Sequence, residues 1–359
     1  MAMSNKEHAE HKVRVLLDKR VHKDKSLHNA ILLVHSEKYG IHWKFAHGVT
    51  EDHTFHVASI GKTITSALIA KLFEQGLIDF EDPISKYLPQ DLLDGLFVFD
   101  GFDYTDNVEI RHLLNHTSGI ADYFAEKPKQ GKSIIDLALD EPSRFWTARD
   151  TIQWAKDNLK THFPPGEGFH YADTGYQLLG LIVEKIKGKP FHQSLHAEIF
   201  DPLGMTHTYQ LFYSEPAQAS PYPMASVYIS EQDVTTFKSV SVDWAGGGLV
   251  STTEDLLLFI QALNDNALIK KATFDRMKDW ARFAKGIDYG YGLMSFRFGD
   301  MFFLLSSKNN MCGNSGSTGS YMYYVPTYDT YIIGTFNQMG YEKKHVMFLL
   351  KVLKILSKL

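Results

Sequence analysis

The chain has 359 residues, of which 44% are hydrophobic and 22% charged, and its formal net charge is −5 at pH 7. A chain of this length can bury a sizeable core, in one large domain or two. It has no stripe of basic residues and no nucleic-acid-binding signature, which excludes a typical RNA- or DNA-binding protein. The single cysteine, Cys312, excludes an intrachain disulfide and a thiolate-rich metal site.

The first 20 residues are polar and charged, and they lack the apolar core of a secretory signal. They predict a cytoplasmic protein, unless a natural leader has been removed. Residues 5–25 are expected to form a helix. The segments His28 to Val34 and Ile41 to Ala46 predict two strands joined by a Lys-Tyr-Gly turn, hence a hairpin.

A long helix with a buried face is predicted to follow Ser59 and to stop at Gly76. Most of the sequence from residue 80 to residue 285 is also predicted to be helical, interrupted by loops rich in proline and glycine. Strand character returns near the end of the chain, in segments rich in aromatic residues, at Tyr291 to Phe298, Phe302 to Ser306, Ser320 to Val325 and Tyr331 to Phe336.

The last segment, Val346 to Leu359, predicts an amphipathic helix. Lys351, Lys354 and Lys358 share its polar face. Such a helix can lie on a membrane surface, but packing of its apolar face on a sheet is the favoured interpretation. No apolar run approaches the ~18 residues of a membrane span.

Strands at both ends and helices in the middle predict an α+β fold, an α/β sandwich. Its antiparallel sheet is expected to be built from both termini, to be flanked by helices and to carry an inserted, mostly helical region. We expect a single catalytic domain over residues 1–359, with the sheet region at about 5–58 and 286–359 and the helical region at about 59–285. The crevice between the two regions is the natural place for a ligand.

Ser59 and Lys62 form the only S-x-x-K motif in the chain, at the predicted start of a long apolar helix. Residues three apart share a face of a helix, so the hydroxyl and the amine meet there. A serine hydroxyl is a poor nucleophile until a neighbour takes its proton, and a helix N-terminus favours developing negative charge. A capping serine beside a solvated lysine is the alternative interpretation.

Two later motifs carry further candidate residues. Tyr171 and Asp173 follow a Pro/Gly loop and can aim two polar side chains at one site, although a simple turn is the alternative. The sequence Asn314-Ser315-Gly316-Ser317 lies on or beside a late strand. Glycine there allows close backbone approach by a substrate, and the amide of Ser317 could then serve as an oxyanion donor together with that of Ser59.

In this order the three motifs resemble the S-x-x-K, Y-x-N and K-T-G set of serine β-lactamases and penicillin-binding proteins. The flanking sequence is similar to the class C β-lactamase and family VIII carboxylesterase branch, over roughly residues 12–350, in phrases such as Arg111 to Gly119, Pro202 to Met205 and Ala245 to Leu249.

The resemblance implies a β-lactamase/transpeptidase-like fold and an acyl-enzyme mechanism without a metal or an organic cofactor. Ser59 would attack a carbonyl carbon, Tyr171 or Lys62 would accept its proton, and the amides of Ser59 and Ser317 would hold the oxyanion. His112 and His116 lie four residues apart, but no H-E-x-x-H motif accompanies them, so packing is favoured over metal binding.

The sequence departs from the family pattern at two positions. Residue 173 is Asp where the family usually has Asn, and residue 314 is Asn where β-lactamases have Lys. An ionised Asp173 near Lys62 would favour the ammonium form of the lysine, which leads to the hypothesis that Tyr171 is the base. Loss of a cation at residue 314 would weaken binding of penicillins and peptide C-termini, since a charge-assisted hydrogen bond contributes about 1.5–3 kcal/mol.

These departures favour a carboxylesterase that acts on a small neutral ester, with Asp173, Asn314, Ser315 and Gly316 as substrate-binding residues. A D-amino-acid amidase or aminopeptidase, a DD-peptidase and a weak class C-like β-lactamase are the enzymatic alternatives. A penicillin sensor and an inactive oligomeric scaffold are the non-enzymatic ones. The expected partner is therefore a small ester, amide or β-lactam, and the oligomeric state is left open.

Overall fold

The computed structural model describes residues 4–301, 306–342 and 344–359. The bounds of its strands are β1 (Ala30–Ser36), β2 (Ile41–His47), β3 (Phe55–His56), β4 (Val98–Phe99), β5 (Phe102–Asp103), β6 (Tyr209–Gln210), β7 (Tyr228–Ile229), β8 (Gln232–Asp233), β9 (Leu249–Ser251), β10 (Ala281–Ala284), β11 (Ile287–Tyr289), β12 (Met294–Phe296), β13 (Met311–Ser315), β14 (Tyr321–Val325) and β15 (Thr330–Thr335).

The main sheet of the described residues has eight strands in the order β10-β11-β12-β13-β14-β15-β1-β2, and every neighbouring pair is antiparallel. The two ends of the chain meet where β1 pairs with β15, with Ile31 opposite Thr335. The predicted sheet built from both termini is therefore confirmed. Small ribbons β3-β9-β6, β4-β5 and β7-β8 lie outside it.

The bounds of the helices are α1 (Asn5–Lys23), α2 (Ile60–Glu74), α3 (Gln90–Leu93), α4 (Ile110–Leu114), α5 (Ile134–Asp140), α6 (Ala148–Asn158), α7 (Asp173–Lys187), α8 (Phe191–Leu195), α9 (Asp201–Leu203), α10 (Thr253–Asn264), α11 (Lys271–Arg276), α12 (Phe298–Met301) and α13 (Lys344–Leu356). Helices α1 and α13 cover one face of the sheet, and α2 and α10 pack on the other.

Each terminal helix has a stripe of apolar residues at helical spacing, and this stripe is buried against the rest of the protein. In α13 the buried residues include Phe348, Leu349, Val352, Leu353 and Leu356. They join a core cluster with α1 and the near face of the sheet, so the packing interpretation of the last segment is confirmed. Among the described residues, no helix is both long and apolar enough to cross a membrane.

The predicted hairpin, the helix that follows Ser59 and the strands at residues 320–325 and 331–336 are present within a residue or two of the expected bounds. The strand expected at 291–298 is shorter, at Met294–Phe296, because Gly292 adopts a left-handed φ of 66° before it. Residues 302–305 of the predicted strand Phe302 to Ser306 lie outside the described residues. Strand β10 begins at Ala281, so the sheet starts earlier than the expected boundary at residue 286.

Candidate active site

Ser59 lies at the junction between the short strand β3 and helix α2. The preceding residue, Ala58, has a left-handed φ of 48°, a conformation that costs a non-glycine residue roughly 1–3 kcal/mol. Ser59 occupies the N-cap position of α2, but its side chain makes no capping hydrogen bond. The hydroxyl is therefore not used to stabilise the helix, and it lies within reach of Lys62 one turn later.

Lys62 is completely buried, and its three N–H groups have three acceptors. Its Nζ donates to Ser59 Oγ at 3.1 Å, to the carbonyl oxygen of Gly246 at 2.9 Å and to Asp173 Oδ1 in a short ion pair. Burial opposes the charged form, but the negative charges of Asp173 and Asp243 outweigh it and raise the pKa of Lys62. The side chain is thus a fixed ammonium group beside the Ser59 hydroxyl.

Two further buried carboxyl groups surround this ion pair. Burial, together with the charge of Asp173, raises the pKa of Asp122 to about 7, and burial raises that of Asp243 to about 7 as well, although Lys62 opposes the second shift. Asp122 Oδ1 accepts the backbone N–H of Asp173 at 3.0 Å. A Cβ at Gly246 would lie 2.7 Å from Asp173 Oδ1, so only glycine leaves room for this cluster.

Tyr171 is held beside the pair by His116. The carbonyl oxygen of His116 accepts the N–H of His170 at 2.9 Å, and its Nδ1 accepts the N–H of Ala172 at 3.1 Å. Lys62 Nζ lies 5.1 Å from the centroid of the Tyr171 ring. Burial and the charge of Asp173 raise the pKa of Tyr171, and the nearby hydroxyl of Ser59 opposes that shift. The three residues of the predicted catalytic set therefore converge in one place.

Strand β13 passes beside this group. Asn314 is fully buried, and its Nδ2 donates to the carbonyl oxygen of Gly292 at 3.0 Å and to Thr63 Oγ1 at 3.2 Å, while its Oδ1 accepts the N–H of Ser315 at 2.8 Å. The Ser315 hydroxyl contacts Met294 Sδ, because neighbouring side chains of a strand point to opposite faces. The structure thus brings Asn314 towards helix α2 and directs the Ser315 side chain away from it.

Gly316 brings the turn after β13 against the segment that precedes Ser59. A Cβ there would lie 2.5 Å from the Cβ of Ala58, and Ser320 Oγ donates to the carbonyl oxygen of Val57 at 2.7 Å. Within the part of the chain that the structure describes, neither the N–H of Ser59 nor that of Ser317 donates to a protein acceptor. Both amides are therefore available to a substrate oxygen.

Sequence reasoning did not assign Gly246, Asp122, Asp243, His116 or Tyr289 to the site. Tyr289 lies on β11, packs edge-on against the Tyr171 ring at 5.6 Å between centroids, and receives a hydrogen bond from Asn314. The glycine run that contains Gly246 was visible as a family phrase, but no local pattern connects the other residues with Ser59. His112 accepts the N–H of Glu109 at 3.1 Å, and so it and His116 have separate hydrogen-bonding roles.

A match to a protein-family model shows which family the chain belongs to. The model of the β-lactamase family matches residues 29–353, which is nearly the whole chain. The chain belongs to the β-lactamase family. The resemblance stated from the three motifs is thereby confirmed, and so is the expectation that its family is one of serine hydrolases.

Relatives of this β-lactamase-family chain carry names from the penicillin-binding group. It is 32% identical to penicillin-binding protein 4* of Bacillus subtilis over 260 residues, which cover 66% of this chain and 51% of that protein. The chain spans about half the length of the curated relatives it matches.

Solved structures confirm the predicted fold class. A D-stereospecific amidohydrolase from a Streptomyces species superposes with a TM-score of 0.76 at 25% identity, covering 92% of this chain and 94% of that one. EstCE1, described as a hydrolase with promiscuous acyltransferase activity, superposes with a TM-score of 0.76 at 17% identity, covering 98% and 100%. The second likeness concerns the fold alone.

Proposed function

We propose that this chain is a serine hydrolase that forms an acyl-enzyme on Ser59. The observation that carries the proposal is the 3.1 Å contact between Ser59 Oγ and the buried ammonium of Lys62, with Tyr171 alongside. A hydroxyl that caps no helix, next to a fixed cation and a phenol, has the groups that nucleophilic attack on a carbonyl requires.

The pKa directions favour a particular division of roles. Lys62 holds its proton and would stabilise the developing alkoxide of Ser59 as a positive charge. The raised pKa of Tyr171 disfavours a preformed tyrosinate. A neutral phenol can instead accept the Ser59 proton while it donates its own proton to the leaving group, so that no charged tyrosine has to form. This relay modifies the hypothesis that Tyr171 acts as a simple base.

The carbonyl oxygen of the substrate would be held by the amides of Ser59 and Ser317. Both N–H groups lack a protein acceptor among the described residues, and Gly316 allows the turn that carries Ser317 to lie close to Ala58. Two amides that converge on one oxygen stabilise a tetrahedral intermediate, and the loss of one such donor typically costs about 10²–10³-fold in rate.

The charges around Lys62 favour a substrate without a carboxylate. Asn314 is neutral, and its side-chain amide is hydrogen-bonded within the protein. It therefore provides no positive charge for an anionic substrate. Asp173 already forms an ion pair with Lys62, and Asp122 and Asp243, whose pKa values are raised to about 7, add further negative charge to the same region as they ionise. These features favour a small neutral ester as the substrate.

Hydrolysis of a D-amino-acid amide is the second candidate. Asp243 Oδ1 is buried and has no hydrogen-bond partner among the described residues, and Asp243 lines an apolar cavity of about 60 Å³ together with Ser317. A substrate ammonium would supply the missing partner, since a buried carboxylate is stabilised by a cation. The likeness to the Streptomyces amidohydrolase supports this alternative.

A panel of three chromogenic substrates tests the proposal: a short-chain ester, a D-alanyl anilide and a cephalosporin. We expect the ester to be hydrolysed fastest and the cephalosporin slowest. Ser59→Ala should abolish turnover, whereas Ser357→Ala, at an exposed serine, should not change it. Activity that survives Ser59→Ala would refute the assignment, and one round of acylation without turnover would identify a sensor.

Substitution of the phenol tests the proton relay separately. Tyr171→Phe keeps the ring and removes only the hydroxyl, so acylation should slow by about 10²–10⁴-fold. The measurement is the pre-steady-state rate of product release from the chromogenic ester. A variant that retains near-full acylation would show that Tyr171 does not handle the proton.

A further inference from the structure

A second group of reactive side chains lies one residue away from Tyr171. Glu126 Oε1 contacts His162 Nε2 at 2.9 Å and His170 Nε2 at 2.7 Å, and the two imidazole rings stack with centroids 3.7 Å apart. The candidate ligand atoms of the three residues all lie within 4.8 Å of one another. The proposed acylation mechanism uses none of these side chains.

The donor set matches a known preference of metal ions. Two imidazole nitrogens and one carboxylate oxygen form a common protein ligand set for Zn²⁺, with bonds of about 2.0–2.2 Å and a fourth position left for water. Ligand atoms around a tetrahedral ion are then about 3.3–3.6 Å apart. Both Nε2 atoms already converge on one oxygen, at 2.9 and 2.7 Å, so these two distances need to lengthen by roughly 0.4–0.9 Å to make room for the ion.

The position of the cluster allows a ligand to enter from solvent. The side chains of Glu126, His162 and His170 are 23%, 35% and 27% exposed. They come from two loops, and the backbone of His162 is fixed by a 2.8 Å hydrogen bond to the carbonyl oxygen of Gly119. The three ligands are therefore presented at the surface by anchored backbone.

We propose that Glu126, His162 and His170 form a binding site for a divalent zinc-like cation whose occupancy inhibits the hydrolase. The inhibition, unlike the binding, rests on the proposed function. His170 precedes Tyr171 directly, and Glu126 Oε1 also accepts the N–H of Asp122 at 2.6 Å. Metal–ligand bonds replace the direct contacts to Oε1 and hold the ligand atoms farther apart, so the ion displaces the segment that carries Tyr171 and the loop that carries Asp122.

Calorimetric titration of the full chain with Zn²⁺ alone, after treatment with a chelator, tests the site directly. We expect one saturable site in the wild type. His162→Ala should weaken binding by roughly 10–100-fold, since even the loss of an outer-shell partner costs that much. His22→Ala, at an exposed histidine outside the cluster, is the matched control and should bind as the wild type does. His162→Gln provides a second variant in case the alanine variant folds poorly.

Ester hydrolysis is measured in the same samples with and without Zn²⁺. Inhibition of the wild type that a chelator reverses, and that His162→Ala lacks while it keeps the basal rate, would support the proposal. Equal Zn²⁺ binding by the wild type and both His162 variants, or no saturable binding, would overturn the site. Binding that leaves the rate unchanged would overturn its coupling to Tyr171. Binding without hydrolysis of any substrate would contradict the proposed function instead.

Discussion

Replacement of Asp243 by Asn should change how the stability of this protein depends on pH. Burial raises the pKa of Asp243 from 3.8 to about 7. Between these values the folded protein binds the proton more tightly than the unfolded chain does, so the free energy of unfolding falls as pH rises. Each pH unit inside this window changes the free energy of unfolding by about 1.4 kcal/mol. From about pH 5 to about pH 8, this one group should therefore lower the free energy of unfolding by about 2–3 kcal/mol.

Urea unfolding at several pH values measures this effect. Asp243→Asn keeps the size of the side chain and cannot ionise, so the stability of the variant should fall by about 2–3 kcal/mol less than that of the wild type over the same range. Asp122 contributes a similar loss in both proteins, and the difference between them is therefore the quantity of interest. Asp106→Asn, at an exposed position, is the control. A variant with the same pH slope as the wild type would refute the reasoning.

Two further predictions concern packing. Gly316→Ala should destabilise the protein by about 1–3 kcal/mol and reduce ester hydrolysis, because the new Cβ would overlap Ala58. Gly175→Ala is the control and should be tolerated, because the nearest atom to its new Cβ is 3.5 Å away. If both variants changed the free energy of unfolding and the hydrolysis rate equally, the prediction would be contradicted. Leu353→Ala should cost about 2–5 kcal/mol because the side chain is fully buried, whereas Met347→Ala, at a 58% exposed residue of the same helix, should stay within about 0.5 kcal/mol in thermal unfolding.

The main elements were predictable because their signals are local. The hairpin β1-β2 alternates strongly in β2, where Ile41, Trp43 and Phe45 are buried and His42 is exposed. Helix α13 shows its apolar stripe within a few turns. Strands β10 and β11 were missed because they are short, and the exposed residues of β10, such as Phe283, lack the alternation that marks a half-buried strand.

The candidate site was predictable only in part for a related reason. Ser59 and Lys62 meet through helical spacing, which a sequence displays directly. The contacts of Lys62 with Asp173 and Gly246 join segments that are more than a hundred residues apart, and no periodic pattern in the sequence indicates such contacts. The buried, internally bonded state of Asn314 likewise depends on Thr63 and Gly292, which sequence reasoning did not connect with it.

The pairing of β1 with β15 has a consequence for biosynthesis. A ribosome releases the chain from its N-terminal end, so β1 and β2 emerge long before β15 exists. The central strands of the sheet cannot complete their hydrogen bonds until β15 has been synthesised, and contacts between such distant segments form slowly. During this interval the edge of β1 that later pairs with β15 has no partner, and an unpaired strand edge with apolar residues is prone to aggregation.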